Sequence, residues 1–409
     1  MTESNTVHKT LVGVLGSGQI GYEPFDRRTW SGISHFVFTH LKENGALRRA
    51  FGVEVPRFSK YWLMLQNWNA NGQLWRQQYY MSPDYRKRLT TVIKNRLQDE
   101  DFEHDFFVLG AMYDVPGLMH GQSRCFSYHD GNLAQSLKAP YSPRGLSARR
   151  IDEGLAFERK VYQGTDRIFA MSDYLRRSFV DDYNVPSERV SNVGAGINLE
   201  QIPEVVPAKR YDTKQILFIG ADFERKGGQQ LLNAFRHIHD SHPDATLHIV
   251  GPKRLVLSGE VSRGVKFYGF LDKTKPHHAR TLRDLFEKCC LFALPSLYEP
   301  FGIAPLEAMA HQIPAVVSRG WALQEMVVPG LNGAYVEPGS VENLVDQFRV
   351  LLSDPDGLRR MGIEARRHVI ERYTWPQVMR RIIHEIRQVQ GNGNLGPDDI
   401  TRHARRLDR

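Results

Sequence analysis

Residues 290–312 read CLFALPSLYEPFGIAPLEAMAHQ, and the order of features in this stretch decides how the rest of the chain is read. The apolar run from 291 to 294 has the length of a buried strand, and Pro295 closes it. A polar turn carrying Glu299 follows, then a Pro-Phe-Gly step, then Pro305 and Glu307 on a new helix. Proline suits the first turn of a helix, where its missing N–H has no partner to lose. Gly302 therefore stands just before a helix start, where outward-pointing N–H groups favour an anion. Glu299 lies in the loop ahead of that point, and Glu307 lies about one turn inside the helix, with seven residues between them. A phosphate at the helix end would have a carboxylate on either side, each able to hold a hydroxyl-bearing ring. That layout suits a nucleotide sugar.

Length and composition set the bounds. A chain of 409 residues has room for two or three domains, each with its own core. Its 41% hydrophobic and 24% charged shares are those of an ordinary globular protein. No apolar run approaches the roughly 18–20 residues of a membrane span. The opening MTESNTVHKT lacks the apolar core of a secretory signal, so a cytoplasmic setting is expected. Cys125, Cys289 and Cys290 form no disulfide framework. The formal charge of +8 favours anionic partners without choosing among nucleotides, acidic lipid and nucleic acid.

With Ser296, Glu299, Pro300, Phe301, Gly302, Leu306, Glu307, Ala308, Met309 and Ala310 in register, the stretch resembles the family 4 glycosyltransferases of the GT-B fold. The resemblance implies an α/β protein of two Rossmann-like domains facing each other across a deep cleft. It implies an N-terminal acceptor domain over 1–198, a linker over 199–210, and a nucleotide-sugar donor domain over 211–374. A final helix over 375–388 is expected to return to the first domain, and 391–409, poor in apolar residues, to be disordered. In the second domain, apolar runs at 216–219, 247–250, 265–268, 290–294, 315–317 and 334–336 alternate with helix-period segments. Such alternation argues on its own for a parallel sheet covered on both faces.

Three further segments carry candidate chemistry. A strand over 11–15 runs into Gly16-Ser17-Gly18-Gln19-Ile20-Gly21, a formal dinucleotide fingerprint. Pro24 and the Arg27-Arg28 pair follow where that fold requires a helix, so the loop is expected to continue to Ser31-Gly32. Ser31 is expected to cap the next helix, with Phe36, Val37, His40 and Leu41 on its inner face. By resemblance, Gly18 and Gly32 approach the donor's diphosphate; a flexible turn explains them equally well. The strand ending 125–132 closes on His129-Asp130-Gly131. The resemblance puts His129 at the donor sugar and acceptor, with Asp130 fixing its tautomer or meeting the acceptor hydroxyl. Arg225 and Lys226 precede Gly227-Gly228 at the start of a helix, a natural clamp for a diphosphate. The family commonly has an Arg soon after the first glycine of this loop, where Ala221 and Asp222 stand here.

Residues 56–98 mix Phe58, Tyr61, Trp62, Trp68, Trp75, Tyr79 and Tyr80 with a run of Arg and Lys. That composition suits an interfacial helix touching a membrane, an acceptor groove, a single-stranded nucleic acid, or a pair of amphipathic helices with a solvated basic face. Asp99-Glu100-Asp101 and Asp354-Pro355-Asp356 read as solvated charge and as a helix-end turn, and no metal is expected.

Taken with these residues, the resemblance implies a retaining, metal-independent transfer of a sugar from a UDP- or GDP-sugar to a hydroxyl of a glycan, lipid-linked or small-molecule acceptor. Glu299, Lys226 and His129 are the expected catalytic groups. Arg225, Lys226, Phe301, Gly302, Glu307, Gly32 and Gly18 are the expected donor contacts. The rival readings are a non-catalytic nucleotide-sugar-binding subunit and an NAD(P)-dependent oxidoreductase; no nucleic-acid partner is expected.

Overall fold

Short apolar strands alternating with helix-period segments assemble into two separate parallel sheets. The structure, a computed structural model, describes residues 9–16, 23–110, 112–139, 145–205, 209–255 and 263–391. Their contacts divide into two units. One runs to Gly194 and resumes at Trp375; the other runs from Ala195 to Thr374. Gly18, most of the formal fingerprint and the tail beyond Gly391 lie outside the described residues.

The first unit is built on β1 (Leu11–Gly16), β2 (Leu47–Val53), β3 (Asp105–Leu109), β4 (Cys125–His129), β5 (Arg167–Ala170) and β6 (Val190–Asn192), in the order β2-β1-β3-β4-β5-β6. Every neighbouring pair is parallel. The inner strands are buried along their length, as strands covered on both faces must be. The edge strand β2 was not legible in the sequence, because Arg48 and Arg49 interrupt its apolar pattern. Those arginines explain the acidic cluster that follows. Arg49 grips Asp101, which is fully buried and caps a short turn, while Arg48 pairs with Glu100 at 2.7 Å. Asp101 is thus a structural anion, not the solvated charge expected.

The last helix, Trp375–Gly391, places Trp375, Val378, Met379, Ile382, Ile383 and Ile386 on one buried face. Trp375 stacks on Phe36 with ring centres 5.8 Å apart, and Arg381 Nε donates to the carbonyl of Val193 at 2.9 Å. This stacking changes the expected inner face of helix Ile33–Glu43. Phe38 enters the sheet-side core, and Phe36 turns to the final helix.

The second unit carries β7 (Gln215–Ile219), β8 (Thr246–Val250), β9 (Val265–Phe267), β10 (Leu291–Leu294), β11 (Ala315–Ser318) and β12 (Gly333–Val336), ordered β12-β11-β10-β7-β8-β9. All pairings are parallel. The chain builds outward in one direction from β7 and in the other from β10, so the order reverses between these two neighbours. Ligands of open α/β sheets bind beyond the strand ends at such a reversal.

Residues 195–198, expected in the first domain, belong to this second unit: the Ile197 N–H donates to the carbonyl of Tyr373 at 2.8 Å. Lys209, expected in the linker, is buried, and its Nζ closes the end of helix Pro276–Lys288 through the carbonyls of Phe286 and Glu287. Asp354 caps the start of helix Pro355–Arg372 by accepting from the Gly357 N–H at 2.8 Å, so it begins a helix where a helix end was expected. Among the described residues no helix is long and apolar enough to cross a membrane.

Candidate functional site

Two loops leave the sheet side by side at the reversal, one after β7 and one after β10. The first turns through 220–227 into helix Gly228–Ser241. Gly227 caps that helix at φ +72, and a Cβ there would run into the carbonyl oxygen of Pro295 at the end of β10. Only glycine lets the two loops come this close. Gly227→Ala is therefore expected to cost about 2–5 kcal/mol in a urea-unfolding measurement, from left-handed strain and overpacking together.

The same closeness brings the charged side chains together. The Leu297 N–H donates to the carbonyl of Arg225 at 2.8 Å, and Arg225 Nη1 donates to the carbonyl of Tyr298 at 2.7 Å. Lys226 Nζ then reaches Glu299 Oε2 at 2.6 Å. Glu299 is 5% exposed, and its pairing with Lys226 offsets the desolvation of a buried carboxylate. Arg225 also binds Asp222 at 3.0 Å and lies 3.8 Å from Glu299, so part of its fork braces the Glu299 loop. An ammonium has three donors, and Glu299 takes one from Lys226, leaving two for an anion.

Beyond Glu299 the chain passes buried Phe301 to Gly302, which caps helix Ile303–Ala310 at φ +93 with no side chain on its N–H groups. The N–H groups of Ile303 and Ala304 are the first-turn donors ahead of Pro305. Glu307, 4% exposed, pairs with Lys273. The sequence reading missed Lys273. It lies in the loop after β9, where Asp272 accepts from both the N–H and the hydroxyl of Thr274 and so fixes the turn that presents it. A lysine after Gly-Phe-Leu-Asp at the end of a strand was the available signal. The structure thus brings Arg225, Lys226, Glu299, Phe301, Gly302 and Glu307 into two joined loops and one helix start, and adds Lys273.

The other candidates lie in the first unit. Gly32 caps helix Ile33–Glu43 at φ +96, in the place expected for Ser31. Trp30 Nε1 donates to Asp130 Oδ2 at 2.9 Å, so Asp130 is bound by an indole. His129 is corrected. Alternation along β4 puts it on the same side as Ser127, facing helices Ala148–Gln163 and Asp173–Tyr183. Its ring packs against Tyr162 and Phe179, and its Nε2 meets Ser127 Oγ at 2.8 Å. Burial pushes the imidazole down to about 3, so the ring stays neutral inside the unit. The unfolded chain binds a proton below its ordinary value of about 6.5 that the folded ring refuses. Stability from this group is complete above about pH 6.5 and falls by about 1.4 kcal/mol per pH unit down to pH ~3. His129→Gln is expected to flatten the measured pH dependence of unfolding by about one proton near pH 5.

The expected pair of helices within 56–98 is three: Arg57–Gln66, Gly72–Met81 and Pro83–Lys94. Tyr79 and Tyr85 join the core of the first unit with Leu89 and Ile93, and Trp75 Nε1 donates to the carbonyl of Met64 at 2.7 Å.

Residues 204–368 match the family model described as glycosyl transferases group 1. Over 315 residues the chain is 26% identical to an uncharacterised glycosyltransferase of Methanocaldococcus jannaschii, covering 70% of this chain and 78% of that one. Residues 204–368 are thus of the group 1 glycosyltransferase type. The chain spans 54% of an MMP alpha-(1->4)-mannosyltransferase of Mycolicibacterium hassiacum and 67% of a D-inositol 3-phosphate glycosyltransferase of Corynebacterium urealyticum. The fold of this chain is the two-domain GT-B fold, similar to sucrose-phosphate synthase from Thermosynechococcus elongatus. The TM-score is 0.69 at 15% identity, with 93% of this chain and 100% of that one covered. Anabaena HepE in complex with UDP and glucose is also similar, at a TM-score of 0.58 and 16% identity, covering 92% of this chain and 99% of that one.

Proposed function

We propose that the chain transfers a sugar from a UDP- or GDP-sugar to a hydroxyl of a glycan, lipid-linked or small-molecule acceptor, retaining the anomeric configuration and using no metal ion. The reaction is placed in the cytoplasm. The observation that carries this reading is the contact of Lys226 with Glu299 where the sheet order reverses, beside a helix start capped by Gly302. A complex of the similar HepE with UDP and glucose supports the choice of ligand class.

The donor's diphosphate takes the two remaining donors of Lys226 and the N–H groups of Ile303 and Ala304. These fixed charges and dipoles face the oxygen on which negative charge grows as the sugar leaves, the form of stabilisation that lowers barriers most. Glu307 accepts from the ribose hydroxyls, and Glu299, held by Lys226, accepts from hydroxyls of the transferred sugar. The bond from the anomeric carbon to the phosphate oxygen breaks on the face where the acceptor oxygen attacks. The acceptor's proton passes to the departing phosphate, so no carboxylate need act as nucleophile or base.

A screen of UDP- and GDP-sugars by thermal shift finds the donor, because a ligand bound only by the folded chain raises the melting temperature. The anomeric proton coupling of the product, read by NMR, should match that of the donor, and turnover should survive a chelator. An inverted product, or loss of turnover that added magnesium restores, would overturn the corresponding part of this reading.

A further inference from the structure

Helix Arg57–Gln66 carries its apolar residues on the side away from the core. Phe58, Tyr61, Trp62 and Leu65 follow the spacing of one helix face and are 87%, 70%, 58% and 66% exposed. Leu63, the buried residue of the helix, points to the opposite side. Trp68, just past the helix end, is exposed as well. Four large apolar side chains in one outward row form a patch rather than the scattered exposure normal for a protein surface.

The surroundings of the row are cationic. Between 57 and 96 the chain holds eight Lys and Arg against a single Asp. Arg57, Arg76, Lys87, Arg88, Lys94 and Arg96 are exposed. Asn67, which closes the end of the aromatic helix, accepts from Arg150 Nη2 at 3.2 Å. Arg150 in turn lines an open hollow with Lys87 and Arg149, alongside the carboxylates of Asp84 and Glu153. The end of the aromatic helix therefore touches helix Ala148–Gln163, whose Arg149 and Arg150 pair with Glu153 and share that hollow with Lys87 of helix Pro83–Lys94.

We propose that this face docks the chain on an anionic lipid bilayer, with the aromatic helix lying in the interface plane. Tyr and Trp rings suit that depth, being apolar in body and polar at one edge. A helix of this form binds by apolar burial and by attraction of nearby cations to lipid phosphates together. A second copy of the chain fits less well, because a symmetric pairing sets one cation-rich segment against another. Single-stranded nucleic acid needs rings set within a cationic groove, whereas this row stands on a convex helix face. The inference does not rest on the donor-site reading, and its test reads binding instead of turnover, so either can fail alone.

The test is co-sedimentation of the full chain with vesicles of phosphatidylcholine, alone or with phosphatidylglycerol added. The chain should bind the anionic vesicles, release as salt rises, and shift its tryptophan emission to shorter wavelength on binding. Phe58→Ser with Trp62→Ser should lower the partition coefficient about tenfold or more. The melting temperature should stay unchanged, because both residues are exposed. Lys87→Glu with Arg88→Glu should weaken binding to anionic vesicles selectively. Wild-type chain left in the supernatant, or a double aromatic variant that binds as wild type, would overturn the proposal. So would a dimer, or oligonucleotide binding, that depends on Phe58 and Trp62 while vesicles are ignored.

Discussion

Lys226→Ala should lower kcat by about 10²–10³-fold, the size of effect seen when one fixed donor to developing negative charge is removed. The loss belongs in kcat because, in the proposed reaction, the leaving diphosphate gains charge on the way to the transition state and Lys226 meets that gain. The substitution also strips Glu299 of its nearest cation. Removing one partner of a buried pair costs about 3–5 kcal/mol when nothing compensates. Here Arg225 stays 3.8 Å from the same oxygen, so the stability cost should fall below that range. Lys226→Arg separates the two effects. It keeps the charge beside Glu299 and should restore most of the stability, while its larger planar head fits the space over Gly220 poorly and leaves kcat low. If Lys226→Ala turned over as wild type at a temperature where it stays folded, Lys226 would have no part in departure of the leaving group.

Glu307→Gln should act in the other kinetic constant. A hydrogen bond from a ribose hydroxyl to a carboxylate is worth about 1.5–3 kcal/mol, and the ribose is remote from the bond that breaks. Such an interaction is the same in the ground and transition states, so KM for the donor should rise about 10–100-fold with kcat little changed. Lys273 sharpens the test. It pairs with Glu307, so a nucleotide must share that carboxylate with it. Lys273→Met should therefore alter donor affinity without altering the anomeric outcome. A Glu307→Gln enzyme with an unchanged donor KM would remove the ribose contact from the account.

The second unit was largely legible in the sequence because its strands are fully buried. Runs such as 291–294 and 315–317 are apolar without alternation, and proline or glycine marks where each ends. The loops after β7 and β10 were legible for a related reason: Gly227 and Gly302 stand where only glycine fits, and the charged residues flank them. What could not be read was pairing between side chains. Lys273 lies 34 residues from Glu307, and nothing local in the sequence ties the two. Strand β2 escaped because an edge strand tolerates arginines that a central strand would not. His129 was misplaced because a strand end offers two faces. The motif gives the position of the residue, whereas the face follows from the pleat and from the aromatic rings of helices Ala148–Gln163 and Asp173–Tyr183. The aromatic-basic stretch was visible as composition, but only the observed burial of Leu63 shows which way helix Arg57–Gln66 turns its rings.

The central claim is that a nucleoside diphosphate is held by these two joined loops. A crystal structure of the chain soaked with UDP or GDP tests it most directly. The account places the diphosphate oxygens within hydrogen-bond reach of Lys226 Nζ and the N–H groups of Ile303 and Ala304, with the ribose hydroxyls on Glu307. A nucleotide bound away from Lys226, or with its ribose turned from Glu307 while Lys273 keeps that carboxylate to itself, would contradict it.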